Sequence, residues 1–335
     1  MMKFDPGMTV RTFSLLFFLA RYNDGGETRG KILATRDCEE NNYCHICLSH
    51  TMCLYPSDCG SENCIDMEYS DLNGEDIETV LDSHNFYRVA IASGKESRGN
   101  PGPQPAARTM MELIWNDELA VIARRWALQC KLFERDQCRD IERFGVWQNV
   151  NVLNMDSLEN GTSRERIHFH ITSWYDEVED FDNAKIGLVN YSSAPWQLSS
   201  SYIPFASATF IYVGCGRTIY TLDLNETAAT PGGFENRVET LVCNYGPVDR
   251  TAPQELYKLG RPGLCPSETI PSDRYQFLCI QDSSSRFLTM GKSDRVRNKK
   301  QQISSNRTTS IVRAVSLNQL LLLLYLTMQL PLHCR

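Results

Sequence analysis

Three segments in the middle of the chain repeat apolar residues every three or four positions, which predicts amphipathic helices. The first segment covers about residues 75–92. The second begins after Asn116, a residue type that caps helix N-termini, and its pattern continues to place Cys130 on the buried face. The third begins near Thr162, because Thr162 and Glu165 have the spacing of a capping box.

Short segments rich in β-branched and aromatic residues follow the helical part. They cover residues 208–212, 218–224 and 238–243, and Pro231-Gly232-Gly233 separates the last two. This composition is typical of strands, so we expect an antiparallel sheet.

Changes in pattern along the chain predict its organisation. Cysteines crowd between residues 38 and 64 with little periodicity, which is typical of a loop-rich segment without its own core. The predicted parts are a degraded signal peptide (1–20), a cysteine-rich N-terminal segment (21–70), a main domain (71–250), a short C-terminal extension (251–290), and a polar linker with an apolar tail (291–335).

Cysteine usage indicates an oxidising compartment. The 335-residue chain has 13 cysteines, which is typical of a secreted protein stapled by disulfides. Four sequons agree with secretion and are predicted glycosylation sites, at Asn160, Asn190, Asn225 and Asn306.

The two ends of the chain carry apolar runs. Residues 13–20 follow Arg11 and resemble a short signal sequence without a clear cleavage site. Residues 319–332 are too short to span a membrane as a helix. Small polar residues, a spacer and that apolar run are typical of a GPI-attachment signal, with an uncleaved tail as the alternative. Cleavage would remove Cys334 and leave an even set of twelve cysteines.

Charge excludes one class of partner. The formal net charge is −7, whereas a protein that binds nucleic acid needs clustered Lys and Arg for the phosphates. We therefore expect no nucleic-acid partner, and contact with a membrane only through a GPI anchor.

A series of short motifs occurs in a recognisable order. The motifs are Asn42-Tyr43-Cys44, His50-Thr51-Met52-Cys53, His84-Asn85-Phe86-Tyr87-Arg88, Gly99-Asn100-Pro101-Gly102-Pro103-Gln104-Pro105, Trp115-Asn116-Asp117-Glu118-Leu119-Ala120, Trp126-Ala127-Leu128-Gln129-Cys130, Gln148-Asn149-Val150, Trp174-Tyr175-Asp176-Glu177-Val178, Val213-Gly214-Cys215-Gly216 and Val242-Cys243-Asn244-Tyr245-Gly246-Pro247. Over residues 42–247 the chain resembles the insect venom-allergen (antigen 5) branch of the CAP superfamily of cysteine-rich secretory, antigen 5 and pathogenesis-related proteins. The resemblance implies an α+β fold, a three-layer α-β-α sandwich.

The resemblance also implies a disulfide scheme. By similarity, the pairs are Cys44–Cys53, Cys47–Cys138, Cys59–Cys130 and Cys215–Cys243, and the cysteines left over give Cys265–Cys279 and Cys38–Cys64. A competing interpretation of Cys44 and Cys47 is half of a zinc knuckle, but a closed zinc site needs four ligands and the sequence offers no second matching pair.

Many CAP proteins carry two histidines and two acidic residues in a central cavity, a set able to bind a divalent metal. Matched motif by motif, these four positions are Arg135, Gln148, Glu177 and Ser201 here, so one acid of the four remains. Trp147 also stands where the family motif has glycine. We therefore expect no metal, no cofactor and no catalytic residues, and an ion pair between Arg135 and Glu177.

These observations favour a secreted, non-enzymatic protein that presents loops, including residues 182–201, to an extracellular partner. The alternative is an extracellular carrier of a sterol or fatty acid, and a metal-dependent hydrolase is the weakest hypothesis. His84 lies on an apolar helix stripe and is predicted to be a packing residue. His168 and His170 are about 200° apart around a helix, so they cannot share one ligand.

Overall fold

The computed structural model describes residues 43–55, 58–68, 70–158, 161–192, 199–222 and 237–282. The predicted signal peptide, Cys38, the sequons at Asn160, Asn225 and Asn306, and the linker with its apolar tail lie outside these residues. The predictions that concern them stay predictions.

The three helices that the sequence pattern predicts are present, together with three helices of four residues each that it does not predict. They are α1 (Tyr43–Ile46), α2 (Thr51–Leu54), α3 (Gly74–Ala92), α4 (Asp117–Ala127), α5 (Ser163–Tyr175) and α6 (Ile203–Ala206). Asn116 caps α4 and Thr162 caps α5, where Thr162 and Glu165 form the predicted capping box. The second helix ends earlier than expected: α4 stops at Ala127, and Cys130 follows in a left-handed backbone conformation with φ of 51°.

The strands depart more from expectation. They are β1 (Ile65–Glu68), β2 (Ile114–Trp115), β3 (Gly145–Asn154), β4 (Tyr212–Thr221), β5 (Arg237–Val248), β6 (Thr269–Pro271) and β7 (Cys279–Gln281). One long strand, β4, replaces the two expected at 208–212 and 218–224 because Gly214 and Gly216 continue the strand rather than end it. The pattern did not indicate β3, since two polar side chains in its middle, Gln148 and Asn149, are buried.

The main sheet has the order β1-β4-β5-β3, with antiparallel neighbours, and β2 adds in parallel to β4. Alternate residues of β5 face different clusters: Val242 packs with Ala123 and Trp126 of α4, whereas Leu241 and Cys243 belong to the large core under α3 and α5. Because successive strand residues point to opposite faces, helices cover both faces of the sheet. The predicted α+β, three-layer sandwich is confirmed.

Helix α4 lies unusually close to the sheet. A Cβ atom on Gly216 would meet the backbone Cα and N of Arg124 at 2.2 and 2.3 Å, and one on Gly214 would meet the backbone N of Ala120 at 2.3 Å. No heavy atom fits into such a gap. Glycine at these two positions therefore sets the distance between helix and sheet.

We expect Gly216→Ala to lower the free energy of unfolding by about 3 kcal/mol, because the methyl group forces α4 away from its packed position. Gly74→Ala is the matched control, since a Cβ there meets nothing within 4 Å. Urea unfolding monitored by circular dichroism measures both. Equal effects of the two substitutions would contradict the close packing.

Four of the expected disulfides are present: Cys44–Cys53, Cys47–Cys138, Cys215–Cys243 and Cys265–Cys279. Since Cys44 and Cys47 are both bonded to other cysteines, the zinc-knuckle interpretation is wrong. Cys215 and Cys243 lie directly opposite each other on β4 and β5. This disulfide joins the two central strands of the sheet.

The expected pairs Cys59–Cys130 and Cys38–Cys64 are wrong, because Cys64 is bonded to Cys130. The segment before β1 is fixed against the end of α4: the backbone N–H of Ser61 donates to the carbonyl of Leu128 at 2.9 Å. This contact brings Cys64 within a Cα–Cα distance of 5.4 Å from Cys130. Cys59 also forms a disulfide.

Candidate functional site

The four positions that match the family's cavity set come from four parts of the fold. Arg135 lies in the loop between α4 and β3, and Gln148 lies on β3. Glu177 lies in a 3-10 turn, Asp176–Asp180, directly after α5, and Ser201 precedes α6. The structure brings three of them into one hydrogen-bonded chain and places the fourth in an adjoining network.

Ser201 links the arginine to the glutamate. The Arg135 guanidinium donates from Nη2 to the hydroxyls of Ser200 and Ser201, at 3.1 and 3.2 Å. The backbone N–H of Ser201 donates to Glu177 Oε2 at 2.6 Å. Burial lowers the pKa of Arg135, and the attraction of Glu177 opposes this shift. The expected contact between Arg135 and Glu177 is therefore indirect and passes through Ser201.

The oxygen and the nitrogen of the Gln148 side-chain amide both form hydrogen bonds within the protein. Gln148 is fully buried. Its Oε1 accepts from the backbone N–H of Asp136 at 2.7 Å, and its Nε2 donates to Asn244 Oδ1 at 3.0 Å. The amide thus fixes the loop that carries Arg135 to strands β3 and β5.

Trp147 fills the position where the family motif has glycine. Its indole is buried and meets the ring of Tyr191 edge-on, with the Arg135 guanidinium 5.9 Å from the indole centroid. Its Nε1 donates to Asn149 Oδ1 at 3.2 Å, and Asn149 Nδ2 donates to the Ser201 carbonyl at 2.8 Å. An aromatic side chain therefore supports the segment that holds the serine.

This donor set does not fit a divalent metal. Glu177 supplies its only carboxylate, the Arg135 guanidinium carries a positive charge and no lone pair to offer, and the Gln148 oxygen already accepts a hydrogen bond. Among the residues that the structure describes, no group of three or more His, Cys, Asp or Glu side chains is arranged to hold a metal ion.

Asp136 is the buried acid of this region that sequence reasoning did not single out. Its side chain accepts hydrogen bonds from the Thr51 hydroxyl and from the backbone N–H of Cys138. Burial raises the pKa of Asp136 to about 6 despite these bonds. In the sequence, only the position of this residue in the motif Asp136-Gln137-Cys138 indicated that it could matter.

The raised pKa of Asp136 predicts a pH effect with a definite sign. The folded chain holds this proton to higher pH than the unfolded chain, whose aspartate titrates near 3.8. The contribution of Asp136 to stability is therefore complete below pH 3.8 and is lost as the pH rises through about 6. Urea unfolding across this range should show that loss in the wild type and a flatter dependence in Asp136→Asn. Parallel curves would contradict the assignment.

His84 acts in packing and in internal hydrogen bonds. His84 is fully buried, stacks on Phe205, donates from Nδ1 to the Val80 carbonyl at 2.7 Å and accepts from the Tyr245 hydroxyl at 2.9 Å. Burial lowers the pKa of His84 to about 4, so the ring is neutral at pH 7. The packing role predicted for it is confirmed.

His168 and His170 point to different surroundings. His168 Nδ1 lies 2.8 Å from the Ser83 hydroxyl, whereas His170 is fully buried with Nε2 3.3 Å from Glu239 Oε1. Burial alone would raise the pKa of Glu239, but His170, Arg217 and Arg166 outweigh it and hold that pKa below its ordinary value. The pair shares no ligand.

Asn190 is the one predicted glycosylation site within the described residues. Its side chain is exposed, and its Oδ1 accepts from the backbone N–H of Ser192 at 3.0 Å. A glycan attached here would project from the 182–201 segment.

Comparison with known proteins identifies the family. Residues 81–245 match the model of the cysteine-rich secretory protein family, CAP. The chain is 37% identical over 224 residues to venom allergen 3 homolog of Dinoponera quadriceps, which covers 65% of this chain and 90% of that protein. It is 37% identical over 226 residues to venom allergen 5 of Dolichovespula arenaria, which covers 65% of this chain and 99% of that protein.

The chain belongs to the CAP family. Within it, the chain falls in the insect antigen 5-like branch, as the motifs indicated. In the part of the chain that the structure describes, no helix is both long and apolar enough to cross a membrane.

Proposed function

We propose that the chain is a secreted, non-enzymatic CAP protein that binds an extracellular partner through its loops. One observation carries the proposal: the cavity positions that hold two histidines and two acids in many relatives here form an internal Arg135–Ser201–Glu177 chain. Their polar groups stabilise loops, and the one carboxylate left among the four positions, Glu177, is too few for a zinc site with three protein ligands. The venom-allergen relatives support an extracellular location.

The 182–201 segment is the proposed contact surface. It includes a 3-10 turn, Asn183–Gly187, and then Leu188, whose side chain is 69% exposed. The described part of this segment is fixed to the C-terminal extension at Val189, because Val189 and Gln254 exchange backbone hydrogen bonds at 2.7 and 2.8 Å. An exposed apolar side chain on a fixed base suits recognition by another protein.

Capture from native extracellular fluid tests this surface. Immobilised wild-type protein should retain a partner that Leu188→Ser loses and Leu259→Ser keeps. Leu259 is the matched control, with an exposed fraction of 60% in the C-terminal extension. Retention by Leu188→Ser equal to wild type would contradict the assignment of this segment.

Measurement of bound zinc tests separately the proposal that this protein is not an enzyme. After dialysis against zinc, we expect no stoichiometric zinc in the wild type, whereas the triple variant Arg135→His, Gln148→Glu and Ser201→His should gain it. Stoichiometric zinc in the wild type that Glu177→Gln removes would overturn the proposal.

Lipid carriage is the second candidate function, because one groove is apolar enough to support it. A cavity of about 620 Å³ lies between α3, α5 and the C-terminal extension, with Phe86, Tyr87, Val89 and Tyr275 in its walls. The Phe86 side chain is 68% exposed, which is unusual for phenylalanine. A groove of this size suits part of an acyl chain or a sterol.

Native mass spectrometry distinguishes this candidate. A carrier should retain an added fatty acid, and Phe86→Asp should lose it while Phe133→Asp does not, since Phe133 is exposed and does not line this cavity. A bare protein mass in the presence of fatty acid would exclude carriage.

A further inference from the structure

A second cavity, of about 350 Å³, adjoins the Arg135–Ser201–Glu177 chain. Three arginines contribute to its wall: Arg135, Arg139 and Arg250. Two aspartates, Asp136 and Asp140, also line it. The chain as a whole is acidic, with a net charge of −7, so a concentration of three guanidinium groups in one small cavity is a local exception.

Arg139 is the least compensated of the three. Only 8% of it is exposed, and its Nη1 donates to the backbone carbonyl of Asp136. Its buried Nε–H has no acceptor among the residues that the structure describes. Burial lowers the pKa of Arg139 to about 10, with attraction from Asp136 and repulsion from Arg250 as the next contributions, so it stays charged at pH 7.

Both aspartates already have partners within the protein, and Asp140 is paired with one of the three cavity arginines, Arg250. Asp140 Oδ1 accepts from the backbone N–H of Val146 at 2.7 Å, and its Oδ2 pairs with Arg250 Nη1 at 2.5 Å. The Asp136 carboxyl accepts from Thr51 and from the backbone of Cys138. Within the described part of the chain, neither carboxylate forms an ion pair with Arg139, so the cavity keeps an excess of positive charge.

We propose that this cavity binds an oxyanion, a carboxylate, sulfate or phosphate group, between Arg139, Arg250 and Arg135. A planar guanidinium matches two oxygens of such a group, and a charge-assisted bond is strongest where water is excluded. The volume lies within the range of about 300–1,000 Å³ that is common for small-molecule sites. The cavity therefore accommodates an anionic group attached to a larger molecule.

Isothermal titration calorimetry of the full chain tests the proposal, with sodium acetate, sodium sulfate and inorganic phosphate as separate probes at constant ionic strength. We expect saturable one-site binding of at least one probe. Arg139→Lys keeps the charge but removes the planar fork, and Arg250→Gln removes a charge from a less buried position. Each should weaken binding about tenfold or more.

Arg143→Gln is the matched control, because its side chain is 57% exposed and pairs with Glu118 outside this cavity. It should bind the probe as tightly as wild type. Absence of saturable binding for all three probes, or equal weakening by Arg143→Gln, would overturn the proposal. If Arg139→Lys fails to fold, Arg250→Gln still tests the proposal. Neither variant changes Leu188, so partner capture tests the proposed function separately from this anion site.

Discussion

Replacement of Arg88 by methionine should lower the free energy of unfolding by about 3–5 kcal/mol, the range for removing one partner of a buried charged contact. Arg88 is fully buried in α3. Burial lowers the pKa of Arg88 to about 9, so the guanidinium is charged at pH 7. Without it, several carbonyl oxygens in the core would lose a charged donor.

The guanidinium of Arg88 serves carbonyls from two separate segments. Its Nε donates to one residue before β2, and its two terminal nitrogens donate to residues around α6 and before β4. The accepting residues are Met111 at 2.8 Å, Pro204 at 2.7 Å, Ser207 at 3.0 Å, Phe210 at 3.2 Å and Phe205 at 3.3 Å. A single side chain therefore fixes the two segments that lead into β2 and β4.

Urea unfolding of Arg88→Met measures this effect, with Arg143→Met as the exposed control. Arg88→Lys separates charge from geometry: lysine keeps the charge, but its single ammonium cannot reproduce the fork, so a substantial part of the loss should remain. A loss below about 1 kcal/mol in Arg88→Met would show that these contacts do not support the fold.

Removal of the Cys64–Cys130 disulfide should cost about 4 kcal/mol, because the bond closes a loop of 66 residues in the unfolded chain. The double substitution Cys64→Ser and Cys130→Ser tests this, because neither cysteine of the pair is left behind as a free thiol. Removing Cys265–Cys279 in the same way is the matched control, and its 14-residue loop predicts a smaller loss, about 3 kcal/mol.

Peptide mapping of the non-reduced protein should recover Cys64 linked to Cys130. Recovery of a Cys59–Cys130 peptide would reverse the correction and restore the pairing that the family resemblance implied. The two measurements are complementary, since mapping identifies the partners and unfolding reports what the bond contributes.

The sequence predicted the helices well because their signals are local. Caps at Asn116 and Thr162 and the periodic apolar faces define α4 and α5 without reference to the rest of the chain. Strand β3 was missed because its polar residues, Gln148 and Asn149, are buried among partners that only the tertiary fold supplies. The hydrophobic pattern contains no information about such partners.

For the candidate site, the sequence located the residues but not the contacts between them. Motif matching located Arg135, Gln148, Glu177 and Ser201, and it predicted an ion pair between the arginine and the glutamate. In the structure the contact is indirect, because the backbone N–H of Ser201 donates to Glu177. A sequence motif specifies side chains and does not specify the direction of a backbone N–H. Arg139 was not predicted as a site residue, because no local feature of the sequence distinguishes it from an exposed arginine. Its burial results from the tertiary packing around it.

The short strand β1 has a consequence for how this protein must be produced. It pairs with β4 at Ile219 and Thr221, and the residue directly before it, Cys64, is the one bonded to Cys130. In a reducing cytosol that bond does not form, and β1 then keeps its hydrogen bonds, the Arg237–Glu68 ion pair and the packing of Met67. With this weaker attachment the edge of β4 becomes more available to other chains. Insoluble material from cytosolic expression, and soluble protein from an oxidising compartment, are the outcomes that this arrangement implies.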